Sequence, residues 1–214
     1  NDAPEKQCVI EDCGELSPDE DVAKFTQKAP DSTGDAYEDF PEDQQKQGEE
    51  WQGVEIVKIV EDLKAMGSKA FKGGELDLAL SKYQKGLRYL HEYPVALDSD
   101  PADLNAQLSK LKIALHNNSS LLQYKLKQYK DSSASADKAM SVEGATNADK
   151  GKSLFRKGMA AKEMKNEEEA EKALQEALKL VPDDAGLKNE LAGVKKAAQE
   201  RKAREKKQYA KFFD

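Results

Sequence analysis

The chain has 214 residues, 38% hydrophobic and 35% charged, with six Phe and one Trp. That suits a helical array with a thin core better than an enzyme built round a deep one. The formal net charge of −7 conceals an asymmetry: residues 1–50 hold 16 acids against 4 lysines (−12), and residues 51–214 hold 25 acids against 30 Lys and Arg (+5), which speaks of partners rather than fold. No apolar run approaches the roughly 18–20 residues of a membrane span, and no signal-like segment opens the sequence. Cys8 and Cys13, with only His91 and His116 far downstream, make neither a disulfide framework nor a zinc site. No metal, no cofactor, no membrane and a cytoplasmic or nuclear location are therefore expected.

In chain order, Val9 and Ile10 suggest one short strand within residues 1–16, with no later strand pattern to pair it. Residues 17–53 contain Ser17-Pro18, Ala29-Pro30, Gly34, Phe40-Pro41 and many acids. They read as an acidic flexible linker, with Tyr37, Phe40 and Trp51 as points that can dock on the body. From Val54 a helical period takes over. Ile56, Ile59, Val60, Leu63, Met66, Ala70 and Phe71 mark a first helix ended by Gly73-Gly74, and Leu76, Ala79, Leu80, Tyr83, Leu87 and Leu90 mark a second. Asp100-Pro101 is expected to start the next helix with Pro at its first position. That helix is long, through Leu104, Leu108, Leu111, Leu115, Leu121, Leu122 and Leu126, and a shorter partner follows over about 129–140. Another pair spans about 148–164 and 167–180 before Val181-Pro182. A final helix over about 184–212 has a basic end, with eight Lys and Arg against two Glu in residues 195–211.

A repeat underlies these pairs. Small residues recur at equivalent places in the second helix of each: Ala79, Ser132 and Ala170, 53 and 38 positions apart. Gly67, Ser120 and Gly158 recur in the first. A 34-residue unit explains the spacing, with 19 residues inserted near 91–103 and 4 near 144–147. This pattern resembles the tetratricopeptide repeat. The resemblance implies an all-α fold: three repeats (about 54–91, 103–140 and 147–181), then a C-terminal capping helix over 183–214, all preceded by a mostly disordered acidic segment. Such stacks bury a continuous core and leave a concave groove lined by the first helix of each pair.

Lys152 and Arg156 share one face of the fifth of these helices. Two cations side by side repel, and an anionic ligand is the most economical reason for them; the bland alternative is a solvated charged face. The chain also resembles the carboxylate-clamp modules of chaperone cofactors. The resemblance places Lys64, Asn118, Lys152 and Arg156 at clamp positions, with Ser68 where the family has Asn. Cations satisfy the carboxylates of a chain terminus and a terminal acid. An Asn amide donates to a carboxylate while accepting from a peptide N–H.

Gln7-Cys-Val-Ile-Glu-Asp-Cys-Gly-Glu-Leu16 resembles the closing strand of a cyclophilin domain. Phe40-Pro-Glu-Asp43, Ile59-Val-Glu-Asp-Leu-Lys64 and the tail Ala203-Arg-Glu-Lys-Lys-Gln-Tyr-Ala-Lys-Phe-Phe213 are similar to the linker, first repeat and C-terminus of the large, forty-kilodalton cyclophilins. The implied role is a module that docks the acidic Glu-Glu-Val-Asp tail of the ninety- or seventy-kilodalton heat-shock proteins. It would bring a peptidyl-prolyl isomerase to chaperone-held clients. The chain itself is expected to be no enzyme and a monomer that binds no nucleic acid. The alternative is an autonomous repeat scaffold for another acidic peptide, or for calmodulin through its basic last helix.

Overall fold

The computed structural model describes residues 31–45 and 50–210. The expected strand at Val9 and Ile10, and the linker as far as residue 30, lie outside them. The described residues from Ser32 onward form one compact unit. After a single helical turn, Pro41–Gln44, come α1 (Gly53–Lys72), α2 (Leu76–Glu92), α3 (Leu104–Lys125), α4 (Tyr129–Ser141), α5 (Asn147–Glu163), α6 (Glu167–Leu180) and α7 (Ala185–Ala210). The described residues contain no strand. Helices α1/α2, α3/α4 and α5/α6 pack as consecutive antiparallel pairs; α1, α3 and α5 also touch in sequence, and α7 lies on α6. This is the three-repeat stack with a capping helix that the period implies.

The small residues set the crossings. Ala79, Ser132 and Ala170 are all fully buried. A Cβ at Gly67 would lie 2.5 Å from the Tyr83 ring, and one at Gly158 would lie 2.8 Å from Leu174. Both helices of these pairs therefore meet where only glycine fits. In the middle pair the equivalent residue is Ser120, and the crossing is made another way. Ser120 Oγ donates to the Ser132 carbonyl at 2.8 Å, and Ser132 Oγ donates back to the Ser120 carbonyl at 2.8 Å. The buried hydroxyls are thus satisfied where they would otherwise be costly. They matter because the apolar core divides here. One cluster runs from Ile56 to Leu122 across α1, α2 and α3, and a second joins α5, α6 and α7 through Leu154, Leu174, Leu187 and Val194. Between them α4 buries only Ser132, Ala136 and Ala139.

The helix ends follow local chemistry. Thr146 and Asp149 form a capping box at the start of α5, and Asn166 caps α6 ahead of Glu167, Glu168 and Glu169, acids that favour the positive helix end. The turns inside the three pairs each place one residue at positive φ: Gly74 at 83°, Lys127 at 63° and Lys165 at 62°. One expectation fails. Pro101 does not open α3, which starts at Leu104. Asp100 is used otherwise, its carboxylate accepting from Tyr93 Oη at 2.6 Å and from the Leu97 amide at 2.7 Å. It ties down the inserted loop instead of leading into the helix.

Part of the segment read as linker is seated on the first pair. Residues 32–45 cross α1 and α2 as a strap. Its anchor is Asp35, whose side chain is wholly buried and accepts from Lys82 Nζ at 2.6 Å and Lys85 Nζ at 2.8 Å. Tyr37 Oη donates to Asp62 at 2.6 Å, Tyr89 Oη to the Glu38 carbonyl at 3.0 Å, and Arg88 Nε to the Asp39 carbonyl at 2.8 Å. Arg88 also lies over the Phe40 ring at 5.1 Å, and Trp51 meets Tyr89 edge to face at 5.9 Å. The docking points Tyr37, Phe40 and Trp51 are therefore all in use.

Candidate functional site

The first helices of the three pairs carry the clamp candidates. Asn118 on α3 and Lys152 on α5 line one groove of about 1080 Å³. Its walls are α3 from Asn105 to Asn118, the end of α4, the start of α5 and Pro94-Val95 of the inserted loop. Lys152 is exposed and has no ion pair among the described residues. Asp149, three residues before it, is an acid at helical spacing that also lines the groove. Its carboxylate caps the helix, with Oδ2 accepting from Thr146 Oγ1 at 2.6 Å, and makes no ion pair with Lys152.

Arg156 lies one turn further along α5 and is half-buried. Its guanidinium donates to the Asn117 carbonyl and, at 3.0 Å, to Asn117 Oδ1. Burial pulls its pKa down to about 10, so it stays cationic at neutral pH with no carboxylate partner among the described residues. A desolvated guanidinium held only by neutral acceptors is a strong site for a carboxylate. The positioning residue is Asn117, which the sequence reading missed. It is 4% exposed, and its Oδ1 also accepts from Ser153 Oγ at 2.9 Å. The pair Asn117-Asn118 therefore divides its work: the first side chain holds Arg156, and the second faces the groove.

Lys64 and Ser68 stand on α1, one helix away. Lys64 is half-buried and has no ion pair among the described residues. Ser68 Oγ bonds the Lys64 carbonyl at 2.8 Å and lies 3.2 Å from Tyr83 Oη. In this arrangement Ser68 serves its own helix pair. Neither residue makes a hydrogen bond to Asn118, Lys152 or Arg156 among the described residues. The structure thus puts Asn118 and Lys152 on one groove, Arg156 against Asn117 one turn further along α5 and outside the groove's lining, and Lys64 and Ser68 on the neighbouring helix.

The groove holds further groups that spacing did not reveal. Lys110, Lys112 and Lys138 line it with Lys152, against Glu143 and Asp149. Lys112 Nζ donates to the Pro94 carbonyl at 2.6 Å. His116 lies between, its pKa pulled down to about 4 by burial first and then by Lys138 and Lys112. It is a neutral hydrogen-bonding group at physiological pH. Lysines on three different helices, α3, α4 and α5, carry no mark in the sequence that they share a cavity.

A tetratricopeptide repeat family model matches residues 151–184. Over its whole length the chain is 34% identical to peptidyl-prolyl cis-trans isomerase D of Cryptococcus neoformans, and 33% identical to that of Mycosarcoma maydis. It spans 59% and 57% of those relatives' lengths. In fold it is similar to the C-terminal repeat domain of a Plasmodium falciparum FK506-binding protein, with a TM-score of 0.61 and 22% identity over 72% of this chain and 97% of that one. It is also similar to the first repeat domain of Spaghetti (RPAP3) bound to the HSP90 peptide SRMEEVD, with a TM-score of 0.52 and 23% identity over 67% of this chain and 95% of that one.

Proposed function

From a tetratricopeptide-repeat chain that resembles, over its whole length, the peptidyl-prolyl isomerases D of the cyclophilin-40 type, we propose a peptide-docking module of a chaperone cofactor. Its groove takes the acidic C-terminal tail of heat-shock protein 90 or 70, and so tethers a peptidyl-prolyl isomerase to chaperone-bound clients. The observation that carries this reading is the state of the cations. Lys64, Lys152 and Arg156 are without a carboxylate among the described residues, and Arg156 is oriented by a buried amide rather than neutralised. Cations that make no ion pair within the chain are poised for an anion from outside.

In this reading Lys152 and Arg156 bind the carboxylates of the terminal Asp. Asn118 bonds the peptide backbone and holds it extended. Lys64 takes a second carboxylate from α1, and Ser68 reaches the ligand through a shorter, weaker contact than the family's Asn. The neighbour solved with an Hsp90 peptide supports the fold's capacity for such a ligand. The test is a titration with a Glu-Glu-Val-Asp peptide as free acid and as C-terminal amide. Amidation removes one of the charges the clamp reads, and is expected to weaken binding by at least about tenfold, the equivalent of one charge-assisted hydrogen bond. Equal binding of acid and amide defeats the clamp and leaves a groove for acidic peptides in general.

A further inference from the structure

The strap carries a tyrosine in a setting that no other tyrosine of the chain shares. Tyr37 stands between Asp35 and the acids Glu38, Asp39, Glu42 and Asp43, and residues 31–40 lie outside any helix. Tyr83, Tyr89, Tyr124, Tyr129 and Tyr209 fall within helices, and Tyr93 is buried. Lifted from the body, the strap is an extended acidic peptide with a single tyrosine, the form in which a protein kinase takes its substrate. Docked, the same residue has no place for a phosphate. Its hydroxyl donates to Asp62 at 2.6 Å, its amide donates to Asp35 Oδ1 at 3.0 Å, and its ring packs on the first core cluster. The bond to Asp62, then burial, then the charges of Asp62 and Asp35 push its pKa up to about 12. The site therefore resists negative charge on the very oxygen that would carry a phosphate. Lys82 and Lys85 already pair with Asp35.

We propose that Tyr37 is a phosphorylation site gated by the strap: it is modified while the strap is lifted, and once modified it keeps the strap from returning. In the transfer the Tyr37 Oη forms a bond to the γ-phosphorus of a nucleoside triphosphate. The bond from that phosphorus to the bridging oxygen breaks, the nucleoside diphosphate leaves, and the phenol proton passes to a base of the kinase. The product sets about two negative charges against Asp62, where a neutral hydroxyl had donated. Like charges then replace a hydrogen bond at the centre of the docked segment. With the strap held off, Lys82, Lys85 and Arg88 of α2 lose their cover, so one phosphate uncovers a cationic face. The proposal concerns the outer side of the first pair and is independent of what the groove binds.

The test treats the full chain with ATP and a tyrosine kinase that accepts copolymers of Glu and Tyr, beside a synthetic peptide of residues 31–45, and maps the phosphate by mass spectrometry. The peptide should react fastest and the wild-type chain slowest, because only the lifted fraction is open to the kinase. Lys82→Met removes one of the two cations on Asp35 and leaves the substrate sequence intact. It should speed modification of Tyr37 by at least about tenfold. Arg88→Ala releases the Asp39 carbonyl and the Phe40 ring without disturbing a buried pair. It should act in the same direction by about threefold, and it decides the matter if Lys82→Met does not fold. In the phosphorylated wild type the Tyr37 to Asp39 amides should exchange freely while α5 and α6 stay protected. Four results each overturn the proposal: a peptide that takes no phosphate; no phosphate at Tyr37 in the wild type or either variant; equal rates for peptide, wild type and variants; or a phosphorylated chain whose strap amides remain protected.

Discussion

Replacing Asp35 by Ala removes the carboxylate at the centre of the strap. Two ammonium groups donate to it, Lys82 Nζ at 2.6 Å and Lys85 Nζ at 2.8 Å, and Lys82 and Lys85 are themselves only 4% and 1% exposed. Removing one partner of a buried ion pair costs about 3–5 kcal/mol, because it leaves charge uncompensated in a poor solvent. The lower end applies here, since Lys85 keeps the Tyr37 carbonyl and Asp39 at 3.5 Å. A loss of about 3 kcal/mol should lower the melting temperature by roughly 6–12 °C in a unit of this size. The loss has a ceiling: once the strap lets go, both lysines rehydrate, so the cost cannot exceed the free energy that docks residues 32–45. Hydrogen exchange separates the cases, with the Tyr37 to Asp39 amides exchanging freely in the variant while α5 and α6 stay protected. The pH dependence has a defined sign. Burial alone would raise the Asp35 pKa, but the bonds from Lys82 and Lys85 outweigh it and hold the carboxyl below 3.8. A lowered folded value means that the contribution is complete above pH 3.8 and disappears as pH falls through the folded value. The gap between wild type and Asp35→Asn should close in that acid range. An Asp35→Ala variant that melts within a degree of wild type, with strap amides still protected, refutes the argument.

Lys152→Ala should weaken tail-peptide binding by about 1.5–3 kcal/mol in calorimetry without moving the melting temperature, since the side chain is exposed. Arg156→Ala should lose as much affinity and also about 1 kcal/mol of stability, because the buried Asn117 amide oxygen loses a donor. Ser68→Asn should strengthen binding by roughly 0.5–1.5 kcal/mol, one net hydrogen bond; a fall in affinity would show that Ser68 matters more to Tyr83 than to any ligand. In urea titrations Ser120→Ala and Ser132→Ala should each cost about 1–2 kcal/mol and the double variant less than their sum, since the hydroxyls serve one crossing. Residues 1–31 hold nine acids against three lysines. Truncation at Ser32 should therefore tighten tail-peptide binding a few-fold, an effect that vanishes at high salt.

The helices were legible because burial and spacing coincide: Ile56, Val60, Leu63 and Ala70 follow the helical period, and each is at most 1% exposed. The repeat was legible from small residues alone, since close crossings leave no alternative at Gly67 or Gly158. The strap was visible only as aromatic docking points. Asp35 looks like any linker acid, and its partners stand 47 and 50 residues later, a pairing that no local pattern encodes. At the candidate site, Lys152 and Arg156 could be read from their spacing. Asn117 could not, because adjacent amides on a helix point about 100° apart and only the neighbouring α5 decides which is buried. Asp100-Pro101 misled for a similar reason: a good helix opening is also a good loop staple, and Tyr93 claimed the carboxylate first.

The strap has a meaning for the stack as a whole. In a linear array every unit borrows much of its stability from the units on either side, and a terminal unit has one lender fewer. At the far end α7 supplies the missing interface. At the near end only the single turn Pro41–Gln44 does so among the described residues, touching α2. Instead a few extended residues grip both α1, through Asp62 and Lys69, and α2, through Lys82, Lys85 and Tyr89. Fraying of the array should then begin or be arrested at an ionic latch rather than a hydrophobic face. Pulled from its amino end, the protein should yield in a small early step set by Asp35, before the larger force at which the first pair of helices comes away.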